Sequence, residues 1–185
     1  GERDDALARL RAGIERANHL VGQLLALARA EPGSAPAHTQ VDLVQVLRQA
    51  VADTQVSVQA VHGRIELQAP ATLMLSGDAE ALRSLLRNLI DNALKYGGPE
   101  PTVQVNAALD GLVALVRIDD AGPGIPEGER RRVFDRFYRR EPGRGSGSGL
   151  GLTIARAVAQ QHGGTVRLAG SPLGGLQVEV RLPAS

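Results

Sequence analysis

The sequence predicts an α/β (α+β) two-layer sandwich, with a mixed, mainly antiparallel sheet, helices on one face and one long N-terminal helix before it. Two observations lead to this fold class. Amphipathic helical segments alternate with pairs of short strands, and the strand pairs are joined as hairpins instead of through helices. With 185 residues, of which 43% are hydrophobic, the chain can bury one good core and carry an appendage.

The N-terminal part of the chain predicts a helix that is separate from the rest. Over residues 4–29, apolar residues recur in steps of three and four, the heptad pattern of a helix that packs against another helix. Residues 31–40 contain two prolines and a glycine but few apolar residues, which is typical of a linker. We therefore expect a helical segment over 1–30, a linker over 31–40 and a folded domain over 41–185.

The elements of the folded domain follow from capping residues, periodicity and turn signals. Asp42 and Asp78 are candidate N-caps, and Gly163-Gly164 ends the last helix. Asp110-Gly111, between two alternating segments, indicates a hairpin. The expected helices cover 43 to about 60, 79–96 and 150–162, and the expected strands cover 64–68, 72–76, 102–109, 112–119, 165–169 and 176–182.

Composition excludes several classes of function. A formal net charge of +1 and only four aromatic residues, two Phe and two Tyr, give no surface for nucleic acid. The absence of cysteine excludes disulfides and thiolate metal sites, and the four histidines are not spaced as metal ligands. No apolar run reaches the ~20 residues of a membrane-spanning helix, so we expect the chain as given to be soluble, with any membrane anchor in upstream segments.

One polar face of the helix over 79–96 is a candidate site. The chain has twenty arginines but a single lysine, Lys95, which lies on the same side of this helix as Asn88 and Asn92, with Tyr96 nearby. An amide oxygen is a neutral ligand suited to Mg²⁺, and an ammonium group suits a phosphate oxygen. Neither amide can act as a general base. These residues alone leave open a solvated polar face that carries a lysine by chance.

Two glycine-rich segments are further candidates. The first, Asp120-Ala-Gly122-Pro-Gly124-Ile125, follows a strand, so its backbone can approach a flat ligand while the carboxylate accepts from an amino group. The second, Gly145-Ser-Gly147-Ser148-Gly149-Leu150-Gly151-Leu152, runs into a helix, whose N–H groups and partial positive charge favour phosphate. An ordinary turn and a flexible linker are the respective alternatives.

A basic and aromatic stretch, residues 130–144, lies between the two glycine-rich segments. Such a stretch can form a mobile lid over an anionic ligand. For Arg130–Arg132, at the start of the stretch, we favour a solvated helix face.

Four motifs follow one another in a fixed order. They are Asn-x3-Asn-x2-Lys-Tyr, Asp-x-Gly-x-Gly, Val-Phe-Asp-Arg-Phe-Tyr and Gly-x-Gly-Leu-Gly-Leu. This order resembles the N, G1, F and G2 boxes in the catalytic, ATP-binding domain of two-component sensor histidine kinases, over about 41–183. The resemblance implies the Bergerat ATP-binding fold, which gyrase, a heat-shock chaperone and mismatch-repair ATPases share. Residues 4–29 resemble the second helix of the dimerisation and phosphotransfer hairpin of these kinases.

The resemblance implies a role for each matching position. Asn92 would ligate Mg²⁺, and Asn88 would support the metal or the triphosphate. Lys95 would bind phosphate, and Asp120 would bind the adenine amino group. The other implied nucleotide-binding residues are Tyr96, Gly122, Gly124, Ile125, Gly147, Ser148, Gly149, Leu150, Gly151 and Leu152, and the implied lid residues are Phe134, Phe137, Arg139 and Arg140.

The resemblance also implies cofactors and partners. The cofactors would be ATP and Mg²⁺, and the γ-phosphoryl group would pass to a histidine for relay to a response-regulator aspartate. None of the four histidines precedes an acidic residue, as the acceptor of the family does, so we expect the acceptor upstream. The expected partners are the phosphotransfer hairpin of the same kinase, a response regulator and a second copy in a homodimer. A Bergerat-fold ATPase driving conformational change and a non-catalytic nucleotide-sensing module are the alternatives.

Overall fold

The structure is a computed structural model that describes residues 39–135, 138 and 149–185. The helix expected over 4–29 and the linker residues 31–38 lie outside the described residues. Numbered within the described residues, the elements are β1 Thr39–Asp42, α1 Leu43–Asp53, α2 Gln55–Ala60, β2 Arg64–Gln68, β3 Met74–Gly77, α3 Ala79–Tyr96, β4 Thr102–Asp110, β5 Val113–Asp119, α4 Gly151–Gln161, β6 Thr165–Gly170 and β7 Leu176–Pro183.

The main sheet has five strands in the order β2-β4-β5-β7-β6. Strands β2 and β4 are parallel, whereas the other three neighbouring pairs are antiparallel. Parallel strands need a long crossover connection. The connection between β2 and β4 contains α3 and is long enough for this. Strands β1 and β3 form a separate antiparallel pair. The prediction of a mixed, mainly antiparallel sheet is confirmed.

Helices cover one face of the sheet. Helix α3 packs on β4 and β5, α4 packs on β6 and β7, and α1 lies along α3. Alternate residues of the central strands are buried beneath them, among them Val105, Val116 and Val180. The opposite face carries polar cross-strand pairs such as Arg117–Glu179, whose charged atoms are 3.1 Å apart. This period-2 alternation produces the predicted two-layer sandwich.

Both predicted N-caps are confirmed. Asp42 Oδ1 accepts hydrogen bonds from the main-chain nitrogens of Val44 and Leu73, each at 3.0 Å, so it caps α1 and also fixes the segment before β3. Asp78 Oδ1 accepts from the first-turn nitrogens Glu80 at 2.9 Å and Ala81 at 3.1 Å, which begins α3. Each carboxylate satisfies donors that a helix start leaves without partners.

The helix expected from 43 to about 60 is interrupted at Thr54, so that prediction is wrong in its extent. Thr54 is fully buried, and both its hydroxyl, at 2.8 Å, and its main-chain nitrogen, at 3.2 Å, donate to the Val51 carbonyl oxygen. A threonine that bonds to a local carbonyl in this way competes with the helical ladder. The chain therefore forms two helices, α1 and α2, on either side of Thr54.

Strand β1 was not predicted, and its first two residues fall in the segment predicted as a linker. It has four residues with one buried apolar side chain, Val41, too few to show a period. Its pairing with β3 defines it. The partner strand begins at Met74 instead of residue 72, because Leu73 bonds through its nitrogen to Asp42 and through its carbonyl oxygen to the Leu43 nitrogen.

His162 joins the end of α4 to the start of α3. It is 6% exposed, its Nδ1 lies 2.7 Å from the Val158 carbonyl oxygen, and its Nε2 accepts from the Asp78 nitrogen at 3.0 Å. These contacts require the neutral ring with its proton on Nδ1. No local pattern around His162 predicts this contact, because its partner, Asp78, lies 84 residues away.

We expect His162→Phe to lower the free energy of unfolding by about 2 kcal/mol, because it leaves the Asp78 N–H without its acceptor while keeping an aromatic ring. Urea denaturation measures this change. The exposed His62, which has a φ of 51°, provides the control His62→Asn, expected to change stability by less than about 0.5 kcal/mol. Equal effects of the two variants would contradict the role of His162.

Candidate functional site

Two amides on α3 and the first residue of α4 form the centre of the candidate site. Asn88 is 6% exposed, and its Nδ2 donates to the Ser84 carbonyl oxygen at 2.8 Å. Asn92 lies one turn later and is half-buried. A Cβ atom on Gly151 would lie 3.0 Å from Asn92 Nδ2 and 3.7 Å from Asn88 Oδ1, so α4 begins directly against these amides. The structure thus brings together residues from two motifs that are far apart in sequence.

Lys95 and Tyr96 occupy the last turn of α3. Lys95 is half-buried, and its Nζ lies 5.0 Å from the centroid of the Tyr96 ring, a cation–π contact. The Tyr96 side chain is exposed, while its carbonyl oxygen lies so close to Gly122 that any side chain at 122 would overlap it. The turn after β5 therefore crosses the end of α3 and lies beside both residues.

Asp120 is a buried carboxylate directly after β5. It is 5% exposed, and its Oδ1 accepts from the main-chain nitrogens of Gly122 at 2.9 Å and Leu176 at 3.1 Å. Within the described part of the chain, Oδ2 receives no hydrogen bond and can accept from a ligand. Burial raises the pKa of Asp120, and the charge of Asp119 adds to this, although the two hydrogen bonds oppose it.

Gly175 packs against the Asp120 carboxylate, and the sequence did not predict it as a site residue. A Cβ atom there would overlap Asp120 Oδ1, so only glycine allows the start of β7 to donate to the carboxylate. Gly124 lies against the carbonyl oxygen of Gly175 on the same side. The only signal in the sequence is the pair Gly174-Gly175, which is typical of any turn between two strands.

The glycine-rich segment is described from Gly149 onward. Leu150 is 1% exposed and anchors this segment in the core, and Leu152 is half-buried. Helix α4 begins at Gly151 without a side-chain cap. The first N–H groups of a helix have no intrahelical partners, and together with the helix dipole they favour an anion. The end of the predicted phosphate cradle, at Gly151, therefore lies beside Asn92.

The structure of residues 125–134, which follow the Asp120 turn, differs in part from what the sequence predicts. Phe134, expected in a mobile lid, is 8% exposed, and its carbonyl oxygen accepts from Thr153 of α4, so it is an anchored residue. Residues 130–132 do not lie on a regular helix, because two short 3₁₀ turns, 127–129 and 132–134, replace it. Arg130 Nε donates to the carbonyl oxygen of the half-buried Ile125 at 3.0 Å, and the next two arginines are exposed as expected.

Five predicted site residues lie outside the described residues. They are Phe137, Arg139, Arg140, Gly147 and Ser148. The other predicted site residues are all described. Apart from Phe134, they belong to the second half of α3, the turn after β5 and the segment that leads into α4.

Comparison with known proteins identifies the family of the chain. The family model described as "Histidine kinase-, DNA gyrase B-, and HSP90-like ATPase" matches residues 77–185, more than half of the sequence. The chain belongs to this family. Its fold is the Bergerat fold that the motifs implied.

Sensor histidine kinases are the relatives within the family. The sensor-type histidine kinase PrrB of Mycobacterium tuberculosis is 39% identical over 157 residues, which are 85% of this chain and 34% of PrrB. A structure of the ATP binding domain of PrrB has 36% identity, a TM-score of 0.66 and coverage of 80% of this chain and 98% of that one. The mycobacterial sensor histidine kinase MprB has 31% identity, a TM-score of 0.69 and coverage of 80% and 97%.

In such kinases this domain is the ATP-binding catalytic region, which confirms the family inferred from the motifs. The chain spans about a third of the length of PrrB, 34%. Among the helices in the described residues, none has the length and apolar character needed to span a membrane.

We expect Asp120→Asn to leave the free energy of unfolding at pH 7 unchanged or to raise it. Because folding raises the pKa of Asp120, its ionised form lowers stability above that pKa, and this loss is relieved as pH falls through the raised pKa toward 3.8. Urea denaturation at pH 7 and an NMR titration of the carboxyl group measure both effects. The control Asp110→Asn removes an exposed carboxylate. A pKa below 3.8, or a loss of stability above about 1 kcal/mol, would contradict the expectation.

Proposed function

We propose that this domain binds Mg²⁺-ATP and donates the γ-phosphoryl group to a histidine on an upstream segment, for relay to a response-regulator aspartate. The observation that carries the proposal is the approach of Gly151 to Asn88 and Asn92, which puts the start of α4 against two amide side chains. A neutral oxygen ligand and an anion-binding helix start in contact form a suitable site for a metal-bound triphosphate.

Asp120 is suited to bind the adenine ring. Its Oδ1 is already held by two main-chain nitrogens, so Oδ2 can accept from the exocyclic amino group of adenine. Its low exposure, 5%, limits competition from water, which strengthens a hydrogen bond of this kind. Gly122 and Gly124 keep the adjoining backbone close enough for a flat base, with Ile125 beside them.

Asn92 is suited to hold magnesium. Its amide oxygen is a hard neutral ligand, and Mg²⁺ in nucleotide sites takes few protein ligands and completes its coordination with phosphate oxygens and water. Bound there, the ion would neutralise charge on the phosphates. Asn88 supports the same region, and Lys95 adds a point charge for a phosphate oxygen. Gly149, Leu150, Gly151 and Leu152 would complete the phosphate site through their backbone, a role that the resemblance also implies for Gly147 and Ser148.

The chemistry of Asn88 favours phosphotransfer over rapid hydrolysis. An amide cannot take a proton near neutral pH, so it cannot activate a water molecule as a carboxylate can. A domain that binds ATP without activating water retains the γ-phosphoryl group until a protein nucleophile arrives. Positioning and charge neutralisation then carry most of the catalysis, as is usual for phosphoryl transfer.

The proposed partners follow from the relatives. They are the phosphotransfer hairpin that contains the acceptor histidine, a response regulator and, through the heptad pattern of residues 4–29, a second copy of the chain. The matched residues make up only 34% of PrrB, so further segments of the kinase would supply the acceptor. We place the domain on the cytoplasmic side of a membrane sensor.

Two measurements on the wild-type chain and on Asn92→Ala test the proposal. Calorimetry should give Mg²⁺-ATP binding that Asn92→Ala weakens at least about tenfold, with stability changed by less than about 1 kcal/mol, because the half-buried Asn92 has no core role. Radiolabelled ATP should label the histidine of a separately supplied hairpin.

The matched control is Asn106→Ala, which removes a half-buried amide from β4, away from α3 and α4. ATP binding without labelling of a competent hairpin would favour a nucleotide-sensing module. Fast ATP hydrolysis without transfer would favour an ATPase. Equal loss of binding and stability in Asn92→Ala would mean that Asn92 is structural.

A further inference from the structure

The main-chain carbonyl of Phe134 is held by two side chains of α4. The Thr153 hydroxyl donates to it at 2.9 Å, and Arg156 Nη2 donates to it at 3.2 Å. The Arg156 guanidinium also lies over the Phe134 ring, 5.1 Å from its centroid. We refer to Phe134, Thr153 and Arg156 together as the Phe134 anchor.

The contacts of the Phe134 anchor are largely shielded from water. Phe134 is 8% exposed and Thr153 is 5% exposed, while Arg156 is half-buried. Thr153 and Arg156 are three residues apart, so they lie on the same side of α4. A planar guanidinium can stack on a ring and donate a hydrogen bond at once, which the flexible ammonium of lysine cannot reproduce. The anchor therefore fixes the position of one carbonyl oxygen relative to α4.

The position of the anchor connects the two halves of the candidate site. Phe134 lies fourteen residues after Asp120, at the end of the segment that begins with the base-binding turn. Thr153 is in the first turn of α4, two residues after Gly151. Between Asp120 and Phe134, Arg130 ties the segment to the Ile125 carbonyl oxygen, so the segment is braced internally as well.

We propose that Thr153 and Arg156 are positioning residues that set the spacing between the adenine subsite at Asp120 and the phosphate subsite at the start of α4. The inference rests on the proposed function, since it concerns the two subsites of the same nucleotide. A ligand that spans both subsites depends on their spacing, whereas a ligand that fills only the adenine subsite does not.

The hydroxyl of Thr153 allows a sharp test, because its two conservative replacements separate hydrogen bonding from packing. Thr153→Val keeps the shape of the side chain and loses the hydroxyl donor, so the Phe134 carbonyl oxygen loses one of its two side-chain hydrogen bonds. Thr153→Ser keeps the donor and loses a methyl group. We expect Thr153→Val to weaken Mg²⁺-ATP binding about tenfold and Thr153→Ser to remain within about twofold of wild type.

The affinity for adenosine distinguishes a positioning role from a purely structural one, because a general structural defect would weaken adenosine binding as well. We expect the affinity for adenosine, followed by NMR titration, to stay within about twofold of wild type in both variants, because Asp120 and its partners are unchanged. Arg156→Lys keeps the charge but loses the planar group, and should also weaken Mg²⁺-ATP more than adenosine. Its matched control is Arg167→Lys, at an exposed position of β6.

The outcomes distinguish the inference from the proposed function. If Thr153→Val and Arg156→Lys bind Mg²⁺-ATP with the affinity of the wild-type chain, the inference is overturned and the proposed function is not. So would a loss in Thr153→Ser as large as that in Thr153→Val, or equal weakening of ATP and adenosine. Absence of ATP binding by the wild-type chain would overturn the proposed function and this inference with it. If Thr153→Val does not fold, the comparison of Arg156→Lys with Arg167→Lys decides.

Discussion

The close packing of α3 against α4 is the constraint on which the candidate site depends. The two helices run antiparallel, and each end of the pair has a specific contact. At one end Gly151 lies against Asn88 and Asn92, and at the other His162 accepts from the nitrogen of Asp78. Because both helices also pack on the sheet, neither can slide along the other without breaking buried contacts. The amides of α3 and the first N–H groups of α4 are therefore presented to a ligand in one fixed arrangement.

Buried polar groups hold the remaining parts of the site. Asp120, Thr153 and His162 are each at most 6% exposed, and each bonds to main-chain atoms of a different segment. Because the partner atoms in these hydrogen bonds belong to the main chain, the contacts fix backbone positions directly. Burial raises the pKa of Asp120, although its two hydrogen bonds oppose this, and Oδ2 accepts no hydrogen bond from the described residues.

Local signals predicted most of the fold, and distant contacts account for the rest. Asp42 and Asp78 were predicted as caps because a cap needs only neighbouring residues. Strand β1 was missed because its pairing with β3 defines it, and the break at Thr54 depends on a hydroxyl that a helical pattern does not reveal. In the site, the motif residues were predicted from their chemistry. Thr153 and Arg156 were missed because their partner, Phe134, lies 19 and 22 residues away in sequence. Gly175 was missed because its close approach to Asp120 exists only in the folded chain.

The most direct test of this account is the affinity of Gly151→Ala for Mg²⁺-ATP, measured by calorimetry beside Gly170→Ala. A Cβ atom at Gly151 would press on Asn92 Nδ2 at 3.0 Å, whereas one at Gly170 would meet nothing within 4 Å. The account predicts that Gly151→Ala binds about tenfold more weakly than wild type while Gly170→Ala binds normally, with both variants folded. Wild-type affinity in Gly151→Ala would contradict the claim that the contact between α3 and α4 forms the nucleotide site.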